Sequence, residues 1–145
     1  MSSPILSEDP IIIVDDDTDD HFIFQEIAER LQLQNEIRFF RNASEALEYL
    51  RTTSEKPFII FCDINMPAIS GLQFRKTIND EEHLRRKSIP FVFFSTSAGK
   101  EQVSLAYDLT VQGFFLKAPS FIETERTFKM ALEYWDKCIH PNTVK

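Results

Sequence analysis

Three features of the sequence predict an α/β fold with a doubly wound, five-stranded parallel sheet and five helices. Short apolar runs alternate five times with segments of helical periodicity along the 145 residues, which is the pattern of strands joined by helical crossovers. Two of the runs, residues 58–62 and 91–94, are apolar throughout, as strands buried on both faces are. Polar residues end four of the five runs, as expected at the ligand-binding edge of such a sheet.

The first part of the chain contains two strand–helix units. Residues 11–14 form an apolar strand, and the pattern turns helical after the acids at positions 15–20, because acids favour a helix start. Residues 37–40 form a second, brief strand, and its helix opens at Asn42 or Ala43. Lys56-Pro57 ends that helix ahead of the third strand.

The rest of the chain continues the alternation. Pro67 and Gly71 force a loop after the third strand, and Pro90 introduces the fourth. The expected elements are strands at residues 58–62, 91–94 and 114–116, with helices at residues 71 to about 84, about 100–109, and from Pro119 through Ile139.

Length and composition indicate one domain. We expect a core at about residues 9–140 and loose ends at residues 1–8 and 141–145. The formal net charge of −7, without a basic tract, disfavours nucleic-acid binding. Two cysteines, no secretory signal and no apolar stretch near the ~20 residues of a membrane helix predict a reduced, cytoplasmic protein with no membrane partner.

The polar residues at the strand ends predict one shared site. Asp15 and Asp16, Asp63, Ser95 and Lys117 stand at the ends of four strands, and the carboxyl ends of parallel strands lie on one side of a sheet. Each residue alone also fits a structural role, such as a helix cap or a solvated acid. Together, the carboxylates would repel one another unless a cation such as Mg²⁺ joined them. A hydroxyl and an ammonium beside that ion suit a phosphoryl group transferred to a carboxylate.

Four segments give the chain a family resemblance that extends over essentially its whole length. They are residues 11–16 (Ile-Ile-Ile-Val-Asp-Asp), residues 63–67 (Asp-Ile-Asn-Met-Pro) with Gly71, residues 90–95, and residues 113–117 (Gly-Phe-Phe-Leu-Lys). In these segments the chain resembles the receiver domains of two-component response regulators. The resemblance implies the flavodoxin-like strand order 2-1-3-4-5 and a phosphorylation switch, not an enzyme that turns over a pool of substrate.

The resemblance also implies a phosphoacceptor and its metal ligands. Asp63 would attack phosphorus on the phosphohistidine of a kinase. Mg²⁺ would be bound directly by Asp16 and Asp63, through water by Asp15, and by the backbone carbonyl of Asn65.

Further roles follow from the same resemblance. Ser95 would donate a hydrogen bond to the phosphoryl group, and Lys117 would pair with it. Phe114 would be the switch aromatic, although ordinary core packing also accounts for a Phe at this position. Asn65 and Ser97 occupy the positions that tune the lifetime of the acyl phosphate. The fourth helix, fifth strand and fifth helix would form the face that switches to dock a partner.

One position departs from the family pattern. Receivers commonly have Lys followed directly by Pro with a cis bond between them, whereas this chain has Lys117-Ala118-Pro119. A cis bond before Ala118 would cost about 3 kcal/mol. Either the loop follows a different path, or strain is retained to aim Lys117.

A finer resemblance lies near the C-terminal end. Residues 107–111 (Tyr-Asp-Leu-Thr-Val) and residues 133–135 (Glu-Tyr-Trp) before Pro141 resemble the stand-alone regulators that serve phytochrome-type histidine kinases. Such regulators often pair through the fourth and fifth helices, so Tyr134 and Trp135 either support a homodimer or pack on the domain's own core. The implied partners are a histidine kinase or phosphotransfer protein and a downstream protein that the sequence does not identify.

Two other functions stay open at this stage. In a haloacid-dehalogenase-like phosphohydrolase, Asp15 would be the nucleophile and Asp17 the acid, although Asp19 stands where that family has Thr. A degenerate receiver would bind a partner constitutively, without phosphorylation.

Overall fold

The core of the molecule is a single five-stranded sheet. The computed structural model describes residue 5 and residues 7–144. Its strands are β1 (Ile11–Val14), β2 (Ile37–Phe40), β3 (Ile59–Cys62), β4 (Phe91–Ser95) and β5 (Gly113–Leu116). All of them are parallel, in the order β2-β1-β3-β4-β5. The predicted fold class is therefore confirmed.

Helices connect the strands and cover both faces of the sheet. They are α1 (Thr18–Arg30), α2 (Ala43–Thr52), α3 (Gly71–Asp80), α4 (Glu82–Arg85), α5 (Lys100–Asp108) and α6 (Phe121–Lys137), followed by a 3₁₀ turn at Pro141–Thr143. Within the described residues, no helix combines the length and the apolar character needed to cross a bilayer.

Each strand supplies side chains to two separate cores, because successive strand residues point to opposite faces. One core contains Ile12, Ile60 and Phe93 and lies under α2 to α5, whereas the other contains Ile13 and Phe61 and lies under α1 and α6. All residues of β1, β3 and β4 are buried. This rigid centre fixes the positions of the residues that follow each strand.

The predicted third helix is in fact two helices, so six α-helices occur in the described chain where five were expected. Glu81 interrupts the helical backbone with extended angles (φ −95°, ψ 109°). The break lets Leu84, only 3% exposed, reach the core from the single turn of α4. Burial of that leucine explains why the helix does not run straight on.

The ends of the domain are more ordered than the sequence suggests. Residues 1–8 and 141–145 were expected to be loose, yet Ile5 is buried and Pro141–Thr143 forms a 3₁₀ turn. Asn142 donates hydrogen bonds from Nδ2 to the carbonyls of Lys56 and Pro57, at 3.0 and 3.1 Å. Residues 1–4, 6 and 145 lie outside the described part, and the expected domain core at about residues 9–140 stays a prediction.

Gly71, the first residue of α3, packs directly on the backbone at the end of β3. A Cβ atom at this position would lie 2.2 Å from the carbonyl oxygen of Asp63 and 2.9 Å from Cα of Ile64. Gly71 also donates its N–H to the carbonyl of Ile64 at 2.8 Å. The helix can approach the Asp63 loop this closely only because residue 71 lacks a side chain.

We expect Gly71→Ala to destabilise the domain by about 1–3 kcal/mol, the usual cost of an overpacked core. Gly99→Ala is the matched control, since a Cβ at Gly99 meets nothing within 4 Å. Urea denaturation of both variants measures the difference. Equal free energies of unfolding for the two variants would contradict the close packing at Gly71.

Candidate functional site

Backbone hydrogen bonds of the sheet extend one residue past the strands and fix the polar residues that follow. The N–H of Asp15 donates to the carbonyl of Phe40, and the N–H of Asp63 donates to the carbonyl of Val14, each at 2.9 Å. The N–H of Lys117 donates to the carbonyl of Ser95 at 2.7 Å. The three charged residues therefore share one edge of the sheet, as the sequence predicts.

Three carboxylates converge at this edge. One oxygen each of Asp15, Asp16 and Asp63 can be chosen so that all three atoms lie within 4.8 Å of one another. Asp15 and Asp63 are 2% and 8% exposed, whereas Asp16 faces solvent. Carboxylate oxygens are the ligands that hard divalent cations such as Mg²⁺ prefer, so the residues fit a cation of this kind.

Burial makes the charges in this cluster costly. It raises the pKa of Asp15 from 3.8 to about 7, although the hydrogen bond from Lys117 opposes the rise. Burial also raises the pKa of Asp63, again against the attraction of Lys117, and the charge of Asp16 adds to the increase. The carboxylates thus hold protons more tightly than isolated acids do, which a bound cation would reverse.

Lys117 is the cation that the chain itself supplies to the cluster. Its Nζ lies 2.8 Å from Oδ2 of Asp15, 2.7 Å from Oδ2 of Asp20 and 3.6 Å from Oδ2 of Asp63. Burial opposes the charge on Lys117, but the hydrogen bonds with Asp15 and Asp20 outweigh it and raise the pKa of the ammonium.

The departure from the Lys-Pro pattern leaves Lys117 in place. The described residues contain no cis peptide bond, so the bond between Lys117 and Ala118 is trans. The loop therefore follows a different path from the family pattern and does not retain the strain of a cis bond. Lys117 nevertheless reaches the acidic cluster.

The remaining residues of the predicted site lie beside the cluster. The buried Oγ of Ser95 accepts the N–H of Ser97 at 3.3 Å, and the side chain of Asn65 donates to Oγ of Ser97, also at 3.3 Å. Phe114 is half-buried, with its ring centroid 5.9 Å from that of Phe93. No hydrogen bond joins Ser95 to Asp63 in the described structure.

Part of the site opens into a cleft of about 690 Å³. Its lining consists of acidic side chains, the Lys117 ammonium and the loop after β5. At the end of β4 it is Thr96, and not Ser95, that lines the cleft. The lining residues are Asp16, Asp17, Asp20, Asp63, Asn65, Thr96, Lys117, Ala118 and Pro119.

The sequence did not reveal the contacts of two residues near the cluster. It assigned Asp20 only to the helix start, and it gave His21 no role. In the structure Asp20 pairs with Lys117, and His21 lies with Nε2 2.7 Å from the carbonyl oxygen of Asp15 and stacks on Phe39. The position of Asp20 near the site could have been predicted, because side chains in the first turn of a helix point back toward its N-terminus. In α1 that direction is toward the ends of the strands.

The chain belongs to the response regulator receiver domain family, whose sequence profile matches residues 11–126. The prediction that it is a receiver domain is thus confirmed. Because the match includes the ends of four strands, the acidic cluster lies inside the family domain.

Two curated proteins are similar to the chain over most of their length. The probable methanogenesis regulatory protein FilR2 of Methanothrix harundinacea is 30% identical over 135 residues, covering 89% of this chain and 86% of that protein. Response regulator Rcp1 of Synechocystis is 24% identical over 130 residues, covering 86% and 87%.

Solved structures agree with this assignment. The phosphorylated cyanobacterial phytochrome response regulator RcpA superposes with a TM-score of 0.81 at 26% identity, covering 90% of this chain and 96% of RcpA. The Mn²⁺-bound form of Rcp1 gives a TM-score of 0.78 at 23% identity, with coverage of 90% and 96%. The finer resemblance to regulators of phytochrome-type kinases is in keeping with the RcpA match.

Divalent cations should stabilise the domain more at high than at low pH. In the folded, metal-free chain the pKa of Asp15 is raised from 3.8 to about 7. At pH values between these two, the folded state holds a proton on Asp15 that the unfolded state has lost. Through Asp15, stability without metal therefore rises as pH falls from 7 toward about 4. A cation must displace this proton, so the increase in Tm caused by Mg²⁺ should be larger at about pH 8 than at about pH 6.

Thermal unfolding with millimolar Mg²⁺ or with EDTA measures this difference. In Asp15→Asn the titrating group is gone, and the residual effect of Mg²⁺ should depend less on pH. An Mg²⁺ effect that is equal at both pH values in the unmodified chain would count against proton–metal competition at Asp15.

Proposed function

We propose that Asp63 accepts a phosphoryl group from the phosphohistidine of a histidine kinase or phosphotransfer protein, in a reaction that requires Mg²⁺. The observation that supports this most strongly is that two acids and the Lys117 ammonium lie close to Asp63. One oxygen of Asp63 lies within 4.8 Å of an oxygen of Asp15 and an oxygen of Asp16. The Lys117 ammonium lies 3.6 Å from the Asp63 carboxylate. Such an arrangement of acids and a cation suits the charge of a transferred phosphoryl group.

Asp63 is the nucleophile of the proposed reaction. Its Oδ1 accepts the N–H of Ile64 at 2.8 Å, which fixes the orientation of the carboxylate. A carboxylate oxygen attacks phosphorus, the P–N bond of the phosphohistidine breaks, and the imidazole leaves with the electron pair. The product is an acyl phosphate on Asp63, which water later hydrolyses.

Asp16 and Asp63 would hold the metal directly, Asp15 would act through water, and the backbone carbonyl of Asn65 would be a further ligand. When bound, Mg²⁺ offsets the negative charge of the transferring phosphoryl group. The residues of this chain supply the site itself. Asp15 and Asp63 are buried and held by backbone hydrogen bonds, so little ordering remains to be done when a cation arrives.

Lys117 and Ser95 would bind the new phosphoryl group. Lys117 already lies 3.6 Å from Asp63. The Ser95 oxygen accepts the N–H of Ser97, and its own O–H would turn to donate to a phosphoryl oxygen. Phe114 packs against Phe93 and would follow this movement as the switch aromatic. Asn65 and Ser97, which hydrogen-bond to each other, would set the lifetime of the acyl phosphate.

The switched face would consist of α5, β5 and α6, the elements predicted as the fourth helix, fifth strand and fifth helix. Large apolar side chains are exposed on these elements, and such surfaces favour protein partners. They are Leu105, Tyr107, Leu116, Ile122, Met130 and Tyr134. Trp135 instead packs partly against the core. We propose that this face docks a downstream protein or a second copy of the chain.

The contacts of two acids disfavour the phosphohydrolase alternative. Its nucleophile, Asp15, is 2% exposed and bound to Lys117. Its general acid, Asp17, caps α1 by accepting the N–H of Asp19 at 2.9 Å. The carboxylate of Asp15 is therefore not accessible to a substrate, and that of Asp17 already caps a helix.

Incubation with Mg²⁺ and acetyl phosphate tests the proposal. We expect intact-mass spectrometry to find one phosphoryl group added to the chain, and none in Asp63→Asn or in the presence of EDTA. Glu48→Gln on the exposed side of α2 is the control and should be phosphorylated like the unmodified chain.

Other outcomes separate the alternatives. Continuous release of phosphate that persists in Asp63→Asn would indicate a hydrolase. No phosphorylation of the unmodified chain by acetyl phosphate or by a phosphorylated histidine kinase would indicate a degenerate receiver.

A further inference from the structure

We propose that Asp20 is a positioning residue that holds Lys117 in the unphosphorylated protein and competes with the phosphoryl group for it. This inference rests on the proposed phosphorylation of Asp63. Nothing in the family resemblance assigned Asp20 a part in the site.

Lys117 is closer to Asp20 than to the phosphoacceptor. The Nζ–Oδ2 distance is 2.7 Å to Asp20 and 2.8 Å to Asp15, but 3.6 Å to Asp63. An ammonium has three N–H donors, and two of them are engaged by Asp15 and Asp20. In the resting state, Lys117 is thus hydrogen-bonded to Asp15 and Asp20, whereas its contact with Asp63 is longer.

A phosphoryl group on Asp63 would change this balance, because it brings about two negative charges and strong acceptor oxygens. The Lys117 ammonium would then be drawn toward the phosphoryl oxygens on Asp63, which weakens its present bonds. Asp15 is buried, with 3% of its side chain exposed, whereas the Asp20 side chain is 21% exposed. Since a partly exposed carboxylate regains water more easily than a buried one, Asp20 is the partner that is released.

Because the ion pair between Asp20 and Lys117 has to be broken, Asp20 opposes phosphorylation. Asp20→Asn keeps a hydrogen-bond acceptor beside Lys117 but removes the charge that holds it. We expect the variant to be phosphorylated about fivefold faster at low donor concentration, a factor at the upper end for a partly exposed ion pair.

Asp19→Asn is the matched control. Asp19 lies in the same turn of α1 and is exposed, and no ion pair between it and Lys117 occurs in the described structure. Its substitution changes the net charge and the helix-dipole interaction by the same amount as Asp20→Asn. Unlike Asp20, Asp19 makes no contact with Lys117 within the described residues, and the Lys117→Met background separates that contact from the other effects of the charge at position 20.

The first measurement examines the resting ion pair without phosphorylation. Urea unfolding in EDTA is compared for the unmodified chain and Lys117→Met, and for Asp20→Asn and Asp19→Asn, each alone and combined with Lys117→Met. We expect a coupling of about fivefold in the unfolding equilibrium constant between positions 20 and 117, and none between positions 19 and 117. Equal coupling for Asp19 and Asp20 would overturn the inference while leaving the proposed function untouched.

The second measurement follows phosphorylation by acetyl phosphate in Mg²⁺, in which Asp63 attacks phosphorus and acetate leaves with the electrons of the broken P–O bond. The rate is measured against donor concentration. We expect Asp20→Asn to be faster than both the unmodified chain and Asp19→Asn, and this gain to vanish in the Lys117→Met background. A rate equal to that of Asp19→Asn, or a gain that persists without Lys117, would refute the competition. Failure of the unmodified chain to react would refute the proposed function itself.

Discussion

Repulsion between carboxylates that the sheet holds close together is the constraint on which this site depends. Asp15 and Asp63 cannot move apart, because backbone hydrogen bonds to Phe40 and Val14 tie them to neighbouring strands. Both are buried, which makes their charges costly. Lys117 relieves part of this cost. A divalent cation would relieve the remainder, because the fold prevents the acids from separating.

The sequence predicts the fold and the location of the acidic cluster well, for a physical reason. Buried parallel strands require unbroken apolar runs, so residues 58–62 and 91–94 could be recognised directly. The residues that follow such strands must lie at one edge of the sheet, which places Asp63 beside Asp16 without knowledge of any coordinates. The alternation of strands and helices leaves few other ways to arrange the chain.

Other features depend on long-range contacts whose partners no local pattern identifies. The break at Glu81 exists because Leu84 is buried in the core, and a run of charged residues hides this leucine. The pairing of Asp20 with Lys117 joins positions 97 residues apart, and helix capping already accounted for an acid at position 20. The ordered C-terminal turn likewise depends on Asn142 reaching two carbonyls that precede β3.

That turn brings the two ends of the described chain together. Asn142 donates a hydrogen bond to the carboxylate of Asp9 at 3.1 Å, and Asp9 lies just before β1, at the edge of the sheet opposite the acidic cleft. A short linker could join these ends, and new termini could be opened in an exposed loop far from the cleft. The domain therefore suits circular permutation, which would let a reporter be inserted without obstructing the acidic cleft.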